Sequence, residues 1–250
     1  MHRIDSILHQ IHPITLGEMD KVELMNRKDT KYFFDRKKLI EILDLLQHDY
    51  RVLEIGGHRI FNYRNIYFDT PEFECYHMHH NKRVNRYKIR IRQYVESNLN
   101  FLEIKFKINT GRTIKSRIKI AEFSPILSEE AKRFISEKTN FDPEQLRPTL
   151  ENDFRRFTLV SNSMRERATI DTDLRFKTPN GQMQLSNVCI AELKLDSSSS
   201  GSPFKLAMRD NFCPEARISK YSVGAAFMYS DLKQNNFKFK KLQINRIENV

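Results

Sequence analysis

Residues 86–120 constrain the fold of this 250-residue chain more than any other stretch. Basic and apolar residues alternate there in three runs that two polar turns separate. Alternate side chains of a β-strand lie on the same face, so the pattern predicts three consecutive strands. One face would carry nine basic residues and one carboxylate, namely Arg86, Lys88, Arg90, Arg92, Glu103, Lys105, Lys107, Lys115, Arg117 and Lys119. The opposite face is apolar, as expected for a core.

The charged face of these strands has two interpretations. It could be the solvated face of an antiparallel sheet, where such sheets usually carry their charge. Solvated faces tend to mix signs, however, because like charges that lie opposite each other on neighbouring strands repel. A bound anion would relieve that repulsion, and closure of the sheet into a barrel would place these residues inside. We therefore expect an anion-binding interior, with the solvated face as the alternative.

Weaker patterns predict further strands at residues 27–34, 59–69, 154–160, 167–173 and 187–195. Helices are expected at about residues 15–25, 36–46, 70–81, 128–136 and 218–232, and the SSSSGS run at 197–202 is expected to be a loop. About eight strands with few helices between them indicate an α+β chain, mainly antiparallel, that forms a closed β-tunnel with flanking helices. We expect one domain over residues 1–250, with a core at about 17–232 and a basic tail at 233–250.

The net charge of +11 and the isoelectric point near 9.5 indicate a polyanionic partner. Nucleic acid, an acidic membrane surface and a phosphate-rich substrate all fit, and composition does not choose among them. Three cysteines without CxxC spacing argue against a disulfide framework or a zinc site. The N-terminus is largely polar and no apolar run approaches ~18 residues, so neither a signal peptide nor a membrane span is expected. We expect a cytoplasmic protein.

Charged residues in the other strands repeat the pattern. Lys31, Arg156 and Arg167 lie on the polar side of their strands, although Arg155 leaves the facing of its neighbour Arg156 open. Glu192 lies in another alternating run. A few carboxylates among lysines and arginines would suit a divalent cation that shares phosphate oxygens with the basic groups. Phosphoryl transfer depends mainly on positioning and charge neutralisation, which such a set supplies.

Seven motifs of the chain together resemble those of the VTC domain. They are, in chain order, RKDTKYFF, IRIRQY, FLEIKFK, GRTIKSR, RERATIDTD, IAELKLD and RISKYS. The VTC domain is the catalytic module of polyphosphate polymerases in the triphosphate tunnel metalloenzyme (CYTH-like) superfamily. A single motif such as IRIR is weak, but seven in order are a specific signal. The resemblance covers residues from about 17 to about 232.

The resemblance implies a tunnel of antiparallel strands lined by lysine and arginine, in which Mn²⁺ or Mg²⁺ accompanies the phosphates of ATP. The terminal phosphate would be transferred to a growing polyphosphate chain. Carried over by motif, the catalytic residues that grip phosphates would be Lys31, Arg90, Arg92, Lys105, Arg167 and Lys220. The substrate-binding set would be completed by Lys107, Lys115, Arg117, Arg156 and Ser219, and the metal carboxylates would be Glu192 and Glu103.

The chain departs from the superfamily pattern at two places. Hydrolases of the superfamily carry an ExExK signature on the first strand, whereas this chain has VELMNRKDTK, with Glu23 too far from Lys31 to imitate it. That argues for the polymerase branch. Lys107 stands where the family often has a histidine, and lysine keeps a donor but cannot change charge near pH ~6.5.

Two other functions stay open. One is hydrolysis of inorganic or nucleoside triphosphate in the same tunnel, and the other is non-catalytic binding of polyphosphate or another polyanion. Specific nucleic-acid binding is not expected, and His77, His79 and His80 lack the matching carboxylates or cysteines of a metal site. The basic tail is expected to be a solvated end, with peripheral membrane association left open.

Overall fold

The computed structural model describes residues 2–20, 27–198 and 201–249. Its strands are β1 (Pro13–Ile14), β2 (Arg27–Asp35), β3 (Tyr50–Leu53), β4 (Phe61–Asp69), β5 (Arg86–Tyr94), β6 (Leu99–Lys107), β7 (Thr113–Ile120), β8 (Arg147–Ser161), β9 (Glu166–Thr178), β10 (Gly181–Leu185) and β11 (Val188–Asp196). Its helices are α1 (His2–Gln10), α2 (Leu16–Asp20), α3 (Leu39–Leu46), α4 (Glu74–His80), α5 (Glu129–Lys138), α6 (Pro203–Asp210), α7 (Lys220–Met228) and α8 (Lys238–Glu248). No helix in the described residues is long and apolar enough to cross a membrane.

The strands form one sheet whose main path runs β2-β11-β9-β8-β4-β5-β6-β7. Every neighbouring pair on this path is antiparallel. β10 extends the sheet beside β9, and β3 pairs with β8 and, in parallel, with the short β1. The predicted mainly antiparallel sheet with flanking helices is confirmed. Between the described parts of β2 and β7 there is no pairing, so the ladder of backbone hydrogen bonds is not strictly closed.

The register of β5, β6 and β7 places the predicted charged residues on one side. Lys88 lies opposite Lys105, which lies opposite Lys115, and Arg90 lies opposite Glu103. Directly opposed residues of an antiparallel pair share a face, so the alternation in the sequence becomes a basic surface. Ile89, Ile91, Leu102, Ile104 and Ile120 are buried and pack against α5 on the other side of the sheet, whereas Ile114 on β7 is exposed.

A second apolar layer covers the outer face of β2, β8, β9 and β11. α3 contributes Leu39, Ile42, Leu43 and Leu46, whose spacing of three and four residues places them on one side of the helix. α1 and α6 pack beside α3 in the same apolar cluster. Three helices therefore shield this part of the sheet from water.

Helix α7 packs over one end of the basic face. Its residues from Tyr221 to Ala226 are all buried, as is typical of a helix enclosed by protein. They pack with Tyr67 and Phe154, which share the inner face with the basic residues. A Cβ atom at Gly224 would come within 2.4 Å of the Phe176 ring, so the close approach of α7 to the sheet requires glycine there.

Several boundaries differ from those predicted. β8 and β9 are longer, and β1, β3 and β10 were not predicted. Helix α4 begins at Glu74 rather than at Thr70. Free backbone N–H groups of its first turn are bound by the side chain of Asp69. The Asp69 carboxylate accepts hydrogen bonds from the backbone N–H groups of Cys75 (2.8 Å) and Tyr76 (3.0 Å).

The basic tail is folded, contrary to the expectation of a solvated end. Ile244 of α8 is fully buried, and Phe237 joins the apolar cluster around α7. The Glu248 carboxylate accepts three hydrogen bonds of 2.8–3.0 Å from the backbone N–H groups of residues 186–188. α8 is thus attached to the turn that leads into β11.

Two predicted elements fall partly outside the described residues. Helix α2 accounts for the beginning of the helix predicted at 15–25, and residues 21–26, with Glu23 among them, are outside. Residues 199 and 200 of the predicted loop at 197–202 are also outside.

Candidate functional site

The basic face of β5, β6 and β7 lies across from the inner face of β2, β11, β9 and β8. Burial lowers the pKa of Lys194 on β11 to about 8, and Lys115 on β7 contributes to this shift from the opposite wall. Burial likewise lowers the pKa of Lys88 on β5 to about 7, with Lys31 on β2 as its strongest charged neighbour. The two walls therefore enclose a cationic space, which we call the tunnel.

On the β5–β7 wall, one arginine is fixed by the only carboxylate of that face. Arg90 donates from Nε (2.9 Å) and Nη2 (2.5 Å) to one oxygen of Glu103, and from Nη1 to the Tyr67 hydroxyl (3.4 Å). Burial alone would raise the pKa of Glu103, but the charges of Arg90 and Arg92 lower it to about 2. Glu103 stays ionised and holds the Arg90 guanidinium in one orientation.

On the opposite wall, Asp171 holds two cations. Arg156 on β8 donates to it bidentately, with contacts of 2.5 and 2.8 Å, and Lys220 at the start of α7 donates to the same carboxylate. Although burial opposes ionisation, the charges of Arg156 and Lys220 lower the pKa of Asp171 to about 2. Burial lowers the pKa of Lys220 to about 8. This buried carboxylate therefore positions one cation from the sheet and one from a helix.

Glu192 on β11 is held less closely. Its oxygens lie 3.4 Å from Lys31 Nζ and 3.6 Å from Lys194 Nζ, which are longer contacts than those of the other two tunnel carboxylates. Burial disfavours its charge, yet Lys31 and Lys194 hold the pKa of Glu192 well below its usual value. The carboxylate is ionised and has oxygen lone pairs to offer a further ligand.

Several tunnel cations have no carboxylate partner among the described residues. Arg92 donates from Nε to the side-chain oxygen of Asn65 (2.9 Å), and Nε of Arg167 is buried without a hydrogen-bond partner. Lys105 forms neither a hydrogen bond nor an ion pair within the described part of the chain. The charge of Arg90, together with burial, holds the pKa of Lys105 well below its usual value. A bound polyanion would neutralise these groups.

The structure brings most of the predicted site residues together. Those that line the tunnel or its α7 end are Lys31, Arg90, Arg92, Glu103, Lys105, Arg156, Arg167, Glu192, Ser219 and Lys220. Lys107 is half-buried, while Lys115 and Arg117 are exposed on the outermost strand β7. The facing of Arg156, which the sequence left open, is inward.

Other tunnel residues were not among the predicted site residues. The alternating pattern placed Lys88 on the charged face without assigning it a role, and the same pattern could also have found Lys194. Asp171 also alternates, but only the pairing of β8 with β9 shows that it lies opposite Arg156. Asn65 lies on the aromatic strand β4, where nothing in the sequence marks it as a partner of an arginine.

The histidine-rich run HMHH lies on α4 outside the tunnel. His80 accepts a hydrogen bond through Nε2 from the backbone N–H of Asn236 (3.3 Å), and His79 Nδ1 lies 2.7 Å from Ser222 Oγ. No group of three or more metal-ligating His, Cys, Asp or Glu side chains occurs among the described residues. These histidines therefore have structural partners in the neighbouring helices.

An antiparallel sheet whose inner face carries buried lysines and arginines, some of them without an ion-pair partner in the described residues, defines a cationic tunnel protein. The chain matches the family model of the VTC domain over residues 26–229, and it belongs to that family. The family predicted from the seven ordered motifs is thereby confirmed, and with it a triphosphate tunnel domain.

Several solved structures align with most of the chain at low sequence identity. A candidate adenylyl cyclase from Hippeastrum, described as having a dominant triphosphatase activity, is 13% identical with a TM-score of 0.48 and covers 80% of this chain and 96% of its own. A Pyrococcus horikoshii OT3 protein is 13% identical, with a TM-score of 0.46 and the same coverage of 80% and 96%. A candidate adenylate cyclase from Vibrio parahaemolyticus is 10% identical, with a TM-score of 0.44 and coverage of 79% and 97%. A comparison with curated proteins found no match.

Proposed function

We propose that the protein is a polyphosphate polymerase that transfers the γ-phosphate of ATP to the end of a polyphosphate chain and releases ADP. The observation that supports this most is the juxtaposition of two kinds of tunnel cation. Arg90 and Arg156 are fixed by carboxylates, while Lys105 and Arg167 lack a counterion within the described residues. The first kind can orient phosphates and the second can neutralise them. Phosphoryl transfer needs little else from a protein.

In the proposed reaction, a terminal oxygen of polyphosphate attacks the γ-phosphorus of ATP, and the bond to the β–γ bridging oxygen breaks. The electron pair of that bond leaves with ADP, so negative charge develops on the departing diphosphate. Fixed cations in a buried site stabilise such charge without reorganising during the step. Arg90 and Arg156 suit this role because their guanidinium groups retain N–H donors beyond those used by Glu103 and Asp171.

A divalent metal, Mg²⁺ or Mn²⁺, is part of the proposal. Mg²⁺ in phosphoryl-transfer sites is held by one or two carboxylates together with substrate phosphates and waters, so a site with few protein ligands fits it. Glu192 is the best candidate ligand, since its contacts of 3.4 and 3.6 Å with lysines leave its oxygens accessible. Glu103 is held more closely by Arg90, and we assign it the role of an anchor. When bound, the metal would neutralise and orient phosphate oxygens.

The test is incubation of the purified protein with ATP and Mg²⁺ or Mn²⁺, with products resolved on gels and phosphate release measured in parallel. We expect polyphosphate chains that are lost in Glu192→Gln and strongly reduced in Arg156→Lys, because lysine cannot replace a bidentate guanidinium. Arg155→Lys is the matched control. Arg155 is exposed and precedes Arg156 on the outer face of the same strand.

The other outcomes separate the alternatives. Free phosphate without chains would identify a hydrolase in the same tunnel. Tight binding of inorganic triphosphate without turnover would identify a non-catalytic sensor. Competition by RNA but not by triphosphate would indicate a nucleic-acid site on the surface and would contradict the proposal.

A further inference from the structure

A chain of hydrogen bonds links the histidine-rich helix α4 to the tunnel. Lys88 on β5 donates from Nζ to Oγ of Ser219, the residue that caps the start of α7 (3.0 Å). Ser219 Oγ lies 3.4 Å from Ser222 Oγ, which lies 2.7 Å from His79 Nδ1. The chain thus leads from a lysine inside the tunnel, through two serines of one helix turn, to a histidine outside it.

The donors of this chain all point toward Ser219. Ser219 Oγ accepts from Lys88 Nζ, from the Ser222 hydroxyl (3.4 Å) and from the backbone N–H of Ser222 (3.4 Å). Because the Ser222 hydroxyl has a single proton and donates it to Ser219, its contact with His79 Nδ1 is one in which the imidazole donates. His79 is therefore the terminal donor and carries its proton on Nδ1.

The environment of His79 keeps its imidazole neutral. Burial lowers the pKa of His79 to about 2, and the charges of Lys88 and Arg86 contribute to the shift. The imidazole therefore has one N–H donor, and the hydrogen bond to Ser222 Oγ places that proton on Nδ1.

Lys88 is placed to contact a polyanion. It lies on the inner face between Arg86 and Arg90 and opposite Lys105. Its hydrogen-bond acceptor is a neutral hydroxyl, so nothing in the described residues neutralises it directly. We propose that Lys88 is a further phosphate-binding residue of the tunnel, and that Ser222 and His79 are positioning residues that hold its ammonium group through Ser219. This rests on the proposed function, since it takes phosphate to be the tunnel's ligand.

The positioning role has a simple physical basis. The hydrogen bond that Ser222 donates holds Ser219 Oγ where it can accept from Lys88. Without the Ser222 hydroxyl, or without His79 to orient it, the Ser219 side chain can rotate away from Lys88 and lose that hydrogen bond. The ammonium group would then be less well placed to meet phosphate.

Phosphate binding at Lys88 also has a proton signature. The titratable and charged groups around it are Arg86 and Arg90 of its own strand, Glu103, Lys105 and Lys107 of β6, Lys31 of β2, Lys220 of α7, and Cys75 and His79 of α4. Burial and this largely positive surrounding lower the pKa of Lys88 to about 7. An anion favours the charged amine, so binding near pH ~8 should be accompanied by proton uptake.

The experiment is calorimetric titration of the full chain with inorganic tripolyphosphate at pH ~8, in two buffers of different ionisation enthalpy. Lys88→Met should lower the affinity on the order of tenfold and reduce the proton uptake. Ser222→Ala and His79→Phe should lower the affinity several-fold, since they leave Lys88 present but poorly held. His79→Asn should restore binding, because its side-chain amide can donate where Nδ1 did. His77→Phe is the control, on the same helix but outside the hydrogen-bonded chain.

The outcomes distinguish this proposal from the proposed function. Wild-type-like affinity and proton uptake in Lys88→Met would overturn the assignment of Lys88, even if the protein makes polyphosphate. Equal losses in His79→Phe, His79→Asn and His77→Phe would reduce His79 to a packing residue and overturn the positioning role. A wild-type protein that binds no tripolyphosphate would overturn both proposals together.

Discussion

The two walls of the tunnel carry charge of the same sign but hold it differently. On the β5–β7 wall a single carboxylate, Glu103, serves one arginine, and the other cations have neutral partners or none in the described residues. On the opposite wall Asp171 and Glu192 each contact two cations. The first wall retains repulsion that an anion can relieve, and the second, apart from the unpartnered Nε of Arg167, is organised before any ligand arrives. The difference suggests that attraction and positioning are divided between the walls.

The largest effect should come from Asp171, which holds two cations on the wall formed by β2, β11, β9 and β8. Asp171→Asn would leave Arg156 and Lys220 buried without their shared counterion, and we expect a loss of about 3–5 kcal/mol in the free energy of unfolding. Urea denaturation would measure it. Glu192→Gln is the control, with an expected loss below about 1 kcal/mol because its contacts are longer. Equal losses would mean that Asp171 and Glu192 contribute equally to the free energy of unfolding, contrary to this prediction.

On the β5–β7 wall, removal of a cation should raise the stability of the unliganded protein and lower its affinity for an anion. Lys105→Met removes a buried cation that Arg90 repels, so the unliganded protein should gain about 1 kcal/mol of stability. Its affinity for tripolyphosphate should fall roughly tenfold to hundredfold, as expected for loss of a charged hydrogen bond. The exposed Lys115→Met should change the affinity by less than about threefold. If Lys105→Met lowered the stability instead, the interpretation that cations repel one another on this wall would be wrong.

Stability should depend on pH in two windows, an acid one set by a carboxylate from each wall and an alkaline one set by buried lysines. The pKa values of Glu103 and Asp171 are lowered to about 2 from 4.5 and 3.8, so their stabilisation is present above those ordinary values and is lost as pH falls toward 2. Lys194 and Lys220 have pKa values lowered to about 8 from 10.5. Between those values the unfolded chain binds more protons than the native one, so stability should rise with pH across that window.

Denaturation at a series of pH values would measure both windows. Tripolyphosphate should flatten the alkaline rise, because a bound anion keeps the lysines charged in the native state. Arg155→Lys, outside the tunnel, should leave the profile unchanged. A fall in stability between pH 8 and 10 would contradict the sign of the lysine shifts.

The smallest effect concerns salt. Raising the ionic strength screens repulsion among like charges, so the unliganded protein should gain a few tenths of a kcal/mol in stability between about 0.05 and 0.5 M salt. With tripolyphosphate bound the gain should vanish or reverse, because salt then weakens an attraction. Thermal unfolding with and without the anion would check this.

The sequence predicts the β5–β7 wall well because the information is local. A period of two in charge and hydrophobicity is readable within each strand, and the motifs add the family. The partners of Asp171 are not local, since they depend on the β8–β9 register and on the placement of α7. Helix α8 was missed for a similar reason. Its lysines are read as solvated, while the burial of Ile244 depends on the neighbouring α7 cluster.

The unpaired edges of the main sheet path have a mechanical consequence. In the described residues β7 pairs only with β6, whereas the free edge of β2 is met by residues 215 and 216, with Ala216 donating its N–H to the carbonyl of Lys31 (2.7 Å). Backbone hydrogen bonds therefore set the circumference of the tunnel along every junction of the path except one seam. Along that seam no backbone pairing in the described residues fixes the distance between the walls. A polyanion that bridged the walls would therefore draw them together there without breaking a strand pairing.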